Sequence, residues 1–136
     1  MGIFDRLIGK KRTPELTGAP VIRRVKTYQA ESGYVYQYVY AGKRDKGSIA
    51  NRVEEFAFDV SADRKTWFRV MVEVSQAALS CWEQEAARTL TETERYAVSK
   101  MALMRAFDAA EAPGDLREPV IVTAESAVEI LSALDL

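Results

Sequence analysis

Residues 33–40 read Gly-Tyr-Val-Tyr-Gln-Tyr-Val-Tyr, with a tyrosine at every second position. Side chains on a β-strand alternate between faces, so Tyr34, Tyr36, Tyr38 and Tyr40 share one face, with Val35, Gln37, Val39 and Ala41 behind them. The stripe is either a binding surface or a wall of the core. Which of the two it is depends on the strand paired with it.

Residues 21–29 read as that partner strand, joined through Glu31-Ser32-Gly33, where Gly33 suits the left-handed last position of a three-residue loop. This register sets Tyr28 against Tyr36, Lys26 against Tyr38 and Arg24 against Tyr40, with Val25 against Val39 and Thr27 against Gln37 on the reverse side. The stripe then carries two cations and reads as an exposed surface. A slip of one residue would bring Arg23, Val25 and Thr27 to it and make it better suited to a core. Arg24, Lys26, Tyr34, Tyr36, Tyr38 and Tyr40 are therefore the candidate binding residues. Exposed rings can stack unpaired bases while cations follow the phosphates. The Gly-aromatic pattern of an RNA-recognition strand is missing, however, and tyrosines alternating with valines also suit a sheet covered by helices or by a second subunit.

A second hairpin is expected from strands over 53–61 and 66–74. Phe56, Phe58 and Val60 form one face, and Phe68, Val70, Val72 and Val74 meet it when Phe58 lies opposite Val70, which requires an odd-length loop around Asp63-Arg64-Lys65. The same register puts Asp59 opposite Arg69, a favourable pair, and Glu55 opposite Glu73, which needs a nearby cation. Between the hairpins, Gly42-Lys43-Arg44-Asp45-Lys46-Gly47-Ser48 has the outline of a phosphate-binding loop but lacks the lysine before the hydroxyl residue. It reads as a mobile, solvated, basic connection.

The rest of the chain is mainly helical. Ser75 caps a helix through about residue 90, with Leu79, Trp82, Ala86 and Leu90 on one face. Thr91 and Glu94 open a longer helix to about Ala110 with a capping box. After Pro113-Gly114, residues 119–122 read as a short strand and Thr123 as the cap of a final helix. Cys81 beside Trp82 reads as a small buried hydrophobe, and Met101 and Met104 as core filler. Residues 1–19 form a short amphipathic helix (Ile3 with Leu7, Phe4 with Ile8) and a linker, and 20–136 form a single domain. The helix is expected to rest on its own domain or on a second subunit, not on a membrane.

Composition narrows the chemistry. The 136 residues contain no histidine and one cysteine, which removes the usual general base, the usual nucleophile activator and cysteine-based zinc sites. No motif asks for carboxylate or lysine catalysis, and no cofactor or metal is expected. No apolar run approaches a membrane span, and the start lacks a secretory signal, so a cytoplasmic location and no stable membrane insertion are expected. Residues 1–52 carry eleven Lys and Arg against four Asp and Glu, whereas residues 53–136 carry eight against sixteen. Such polarity means that the first half meets an anion or that the two halves meet each other. The expected fold is α+β: an antiparallel four- to five-stranded sheet from two N-terminal hairpins, with helices packed on one face. The expected function is that of a non-catalytic interaction module acting through homodimerisation or protein binding. Single-stranded nucleic-acid binding through the Tyr-rich basic hairpin is the alternative.

Overall fold

The computed structural model describes residues 15–136, so the amphipathic helix expected at the start lies outside the described residues. Five strands form one sheet in chain order: β1 (Lys26–Gln29), β2 (Val35–Gly47), β3 (Arg52–Ser61), β4 (Phe68–Ser75) and β5 (Val120–Val122). The first four are antiparallel and β5 runs parallel to β4. A parallel neighbour needs a long crossover, which here contains α1 (Gln76–Ala86), α2 (Glu92–Ala109) and a 3₁₀ turn (Pro113–Arg117). A last helix, α3 (Ala124–Ala133), follows β5. The helices cover one sheet face, giving the expected α+β architecture.

The local signals act as their chemistry predicts. Gly33 has φ near 100°, and the three-residue loop closes with Ala30 N–H donating to the Tyr34 carbonyl at 2.9 Å. Ser75 Oγ accepts from the Ala78 N–H, and Thr91 with Glu94 completes a capping box. Thr123 caps α3 by accepting from the Ser126 N–H. In the second hairpin Phe58 lies opposite Val70, and Arg69 donates to Asp59 at 2.8 Å.

Several elements differ from the sequence reading. The first strand begins at Lys26 instead of residue 21, so neither Arg24 with Tyr40 nor Val25 with Val39 forms a ladder pair. The first helix ends at Ala86, where Ala87 takes a left-handed cap conformation and Glu83 accepts from the Leu90 N–H at 2.9 Å. Cys81 is exposed, because two residues turn a helix by about 200° and place it opposite the buried Leu79. Thr17, within the stretch read as a linker, exchanges two backbone hydrogen bonds of 2.8 Å with Lys43.

The largest difference concerns residues 42–47. They are no mobile connection but the second half of β2, paired with β3 as far as Gly47 opposite Arg52. Tyr40 lies opposite Phe58 while Gly42 lies opposite Ala57, so Ala41 is the extra residue of a β-bulge. Gly42 has φ near 119°, and a Cβ there would come within 2.9 Å of the Thr17 carbonyl oxygen. The bulge shifts the alternation by one residue. Lys43 joins the helix-covered face, and Arg44 and Lys46 join the open one.

Each of these cations meets carboxylates. Under the helices, Glu54 is buried and accepts from Lys43 Nζ at 2.8 Å and Arg95 Nε at 2.6 Å. On the open face Glu55 lies opposite Glu73, as the register requires, and the missing cations come from β2. Lys46 Nζ lies 3.1 Å from Glu73 and 3.5 Å from Glu55, and Arg44 Nε lies 2.8 Å from Glu55.

Candidate functional site

The hairpin has the register that predicts a cation-bearing stripe, with Lys26 opposite Tyr38 and Tyr28 opposite Tyr36, yet the stripe is largely core. Tyr36 and Tyr38 are only 0% and 5% exposed, because α2 lies across β2. Phe107 of α2 stacks on Tyr36 with ring centroids 4.2 Å apart and planes 6° apart, and lies 6.2 Å from Tyr38. Tyr40 packs against Tyr96 at 4.7 Å and Phe58 at 5.5 Å. Register therefore sets which residues share the face, while a helix from the other half of the chain sets whether that face is open. Tyr36 and Tyr38 have their faces committed to protein rings and offer no open platform to a base.

The six candidate residues separate into three environments. Tyr36 belongs to the core. Tyr34, 40% exposed, sits at the hairpin end. Arg24, Lys26, Tyr38 and Tyr40 line one cleft of about 340 Å³, with Tyr96 from α2 and Ile22. Its outer wall is the strap of residues 18–25, which leaves the edge of β2 after the Thr17–Lys43 bridge and returns at Lys26. Among the described residues, the strap makes no backbone-to-backbone hydrogen bond, and Arg23 ties it to Asp59 at 3.7 Å. Val21, Ile22 and Val25 on the strap are exposed.

Charge singles this corner out. Seven Lys and Arg fall within residues 15–52. Arg23, Lys43, Arg44, Lys46 and Arg52 each have a carboxylate within 4 Å. Among the described residues Arg24 and Lys26 have none. Folding thus cancels most of the positive charge of this stretch and leaves its remainder at the cleft. Lys100 on α2 feels the charge of Lys26: burial and then that charge push its ammonium below the usual lysine range. Cations with no carboxylate partner among the described residues, together with tyrosine hydroxyls that can donate hydrogen bonds, have the chemistry to attract an anion.

Tyr96 and Lys100 were not legible as site residues. Their i, i+4 spacing places them on one helix face, but only the crossing of α2 over β2 brings that face to Arg24 and Lys26. The described residues contain no group of three potential metal ligands, and none of their helices is long and apolar enough to cross a membrane. No protein-family model, curated protein or solved structure matches the chain.

The tyrosines also set the response to alkali. The hydrogen bond to Asp108 at 2.7 Å, with burial, pushes Tyr28 up to about 12, and burial beside Tyr96 pushes Tyr40 up to about 12. Burial also raises Tyr36, Tyr38 and Tyr96. A phenol whose pKa is higher in the folded state stabilises that state fully below its unfolded value near 10, and the contribution is lost as pH rises through the folded value. Five of the six tyrosines are therefore expected to resist ionisation until the fold gives way between about pH 10 and 12. Most of the phenolate absorbance is expected to appear together with the loss of the far-ultraviolet circular dichroism signal. A phenolate signal that is complete while the fold is intact would contradict this.

Proposed function

We propose that this chain is a non-catalytic interaction module that holds an acidic segment of a protein partner in the cleft between its strap and α2. The observation carrying this reading is that Arg24 and Lys26, unlike the other cations of residues 15–52, have no carboxylate within 4 Å among the described residues. The exposed Val21, Ile22 and Val25 beside them add apolar contact. Cations at the rim steer an acidic partner, while the apolar side chains slow its release.

Fluorescence anisotropy with a labelled peptide alternating Glu and Leu tests the reading. Binding is expected to weaken as salt rises. Arg24→Glu combined with Lys26→Glu should lower affinity at least about tenfold, because like charges then face the peptide. Both residues are exposed, so circular dichroism should show an unchanged fold. Equal affinity in the double variant would sink the proposal, and preference for an oligothymidylate over the peptide would favour nucleic acid instead. Sedimentation over a range of concentrations reads out a second copy as the partner. A dimer dissociated by the same double variant identifies it, and a monomer at every concentration excludes it.

A further inference from the structure

At the opposite end of the β1–β2 hairpin from the strap, a second cleft of about 590 Å³ opens between three turns. Tyr34 comes from the first hairpin, Ala62 and Phe68 flank the β3–β4 turn, and Pro113 and Arg117 belong to the 3₁₀ turn. This volume falls within the range of small-molecule sites, and the walls match their usual chemistry: aromatic and apolar surface with a few convergent polar groups. Tyr34 and Trp67 are the exposed large aromatics of the described residues, and Tyr34 lines this cleft while Trp67 stands next to its Phe68 wall.

The charges around the cleft are of different kinds. Arg69 is committed to Asp59 through two hydrogen bonds, of 2.8 and 3.3 Å. Asp63 holds the β3–β4 turn, its Oδ1 accepting from the Lys65 and Thr66 N–H groups at 2.8 Å and from Ser61 Oγ at 3.2 Å. Those backbone donors keep its carboxyl ionised, at about 2. Arg117 has no carboxylate within 4 Å among the described residues. A guanidinium with no carboxylate partner among the described residues, in a cleft that also holds a fixed carboxylate, matches a ligand with a single negative charge better than a doubly charged phosphate.

We propose that this cleft binds a planar aromatic carboxylate, with its ring against Tyr34 and Phe68 and its carboxylate paired with the guanidinium of Arg117. The site is independent of the strap cleft and of what that cleft holds. Ring stacking supplies apolar contact, and the planar guanidinium can meet both carboxylate oxygens.

The test uses 2-naphthoate and its uncharged counterpart 2-naphthylmethanol, with amide chemical shifts of the full chain as the readout. Naphthoate is expected to move the Tyr34, Thr66, Gly114 and Arg117 amides and to bind at least about tenfold more tightly than the alcohol. Arg117→Leu should abolish that difference without weakening the alcohol. Tyr34→Ser should weaken both ligands. Both residues are exposed, and each variant's spectrum reports whether it has folded. Shifts confined to another surface, equal affinity for acid and alcohol in the parent chain, or an unchanged preference in Arg117→Leu would each overturn the proposal.

Discussion

Phe107→Ala is expected to lower the free energy of unfolding by about 3–5 kcal/mol, the range for removing a fully buried aromatic ring from a core. Phe107 is 0% exposed and meets three tyrosines of the first hairpin: Tyr36 at 4.2 Å, Tyr28 at 5.9 Å and Tyr38 at 6.2 Å between ring centroids. It is the ring through which α2 holds the stripe. Its loss leaves a cavity between helix and sheet that stiff aromatic neighbours cannot collapse to fill. Urea denaturation measures the effect, and a change under about 1 kcal/mol would show that the stripe is not held in this way. Tyr36→Phe is the informative control. The Tyr36 hydroxyl is buried without a hydrogen-bond partner among the described residues, so removing it while keeping the ring should leave stability unchanged or raise it.

Glu54→Gln is expected to cost about 3 kcal/mol, at the lower end for breaking a buried ion pair because Lys43 remains partly exposed. Glu54 joins the bulged half of β2 to the start of α2: its two oxygens accept from Lys43 and Arg95, and Arg95 also donates to the Leu90 carbonyl at 2.8 Å. The neutral amide leaves two cations facing each other across a buried site. Burial pushes the Glu54 carboxyl up, but the hydrogen bonds and charges of Lys43 and Arg95 outweigh it and hold the group below the usual glutamate range. A carboxyl with a depressed folded pKa stabilises the fold above its unfolded value and loses that contribution as pH falls through the folded one. Unfolding measured from neutral pH down to below 4 should therefore show an acid-dependent loss in the parent chain that is smaller in Glu54→Gln. Glu55 is almost as buried, but its partner Lys46 is about half exposed and can turn to water, so Glu55→Gln should cost less, about 2 kcal/mol. Equal losses at the two positions would show that the exposure of the partner cations does not set the cost.

The hairpins were legible because their signals are local. Gly33 selects its loop, and the alternation of Phe56, Phe58 and Val60 against Val70 and Val72 leaves one register that buries both sets. From that register followed the opposition of Glu55 and Glu73 and the need for a cation. The source of that cation was hidden in residues 42–47, whose glycines and charges have low strand propensity. Pairing with β3 overrides that propensity, and the Ala41 bulge directs Lys43 to Glu54 and Arg44 with Lys46 to Glu55 and Glu73. Of the candidate site, Lys26 opposite Tyr38 was legible as a hairpin pair, whereas Arg24 reaches the same cleft from the strap and not as the ladder partner of Tyr40. Tyr96 and Lys100 lie almost sixty residues further on, where no periodicity links them to that strand.

Local sequence signals alone put the four tyrosines on one strand face, Tyr28 and Lys26 opposite Tyr36 and Tyr38, and capped helices after the sheet. These outcomes depend on neighbouring residues and on the fixed two-residue period of a strand. That the face is covered, and that its uncovered edge is a cleft lined by Arg24 and Lys26, followed from long-range packing. Both depend on where α2 crosses β2, and that crossing is set by packing Phe107 and Tyr96 against rings far away in the chain.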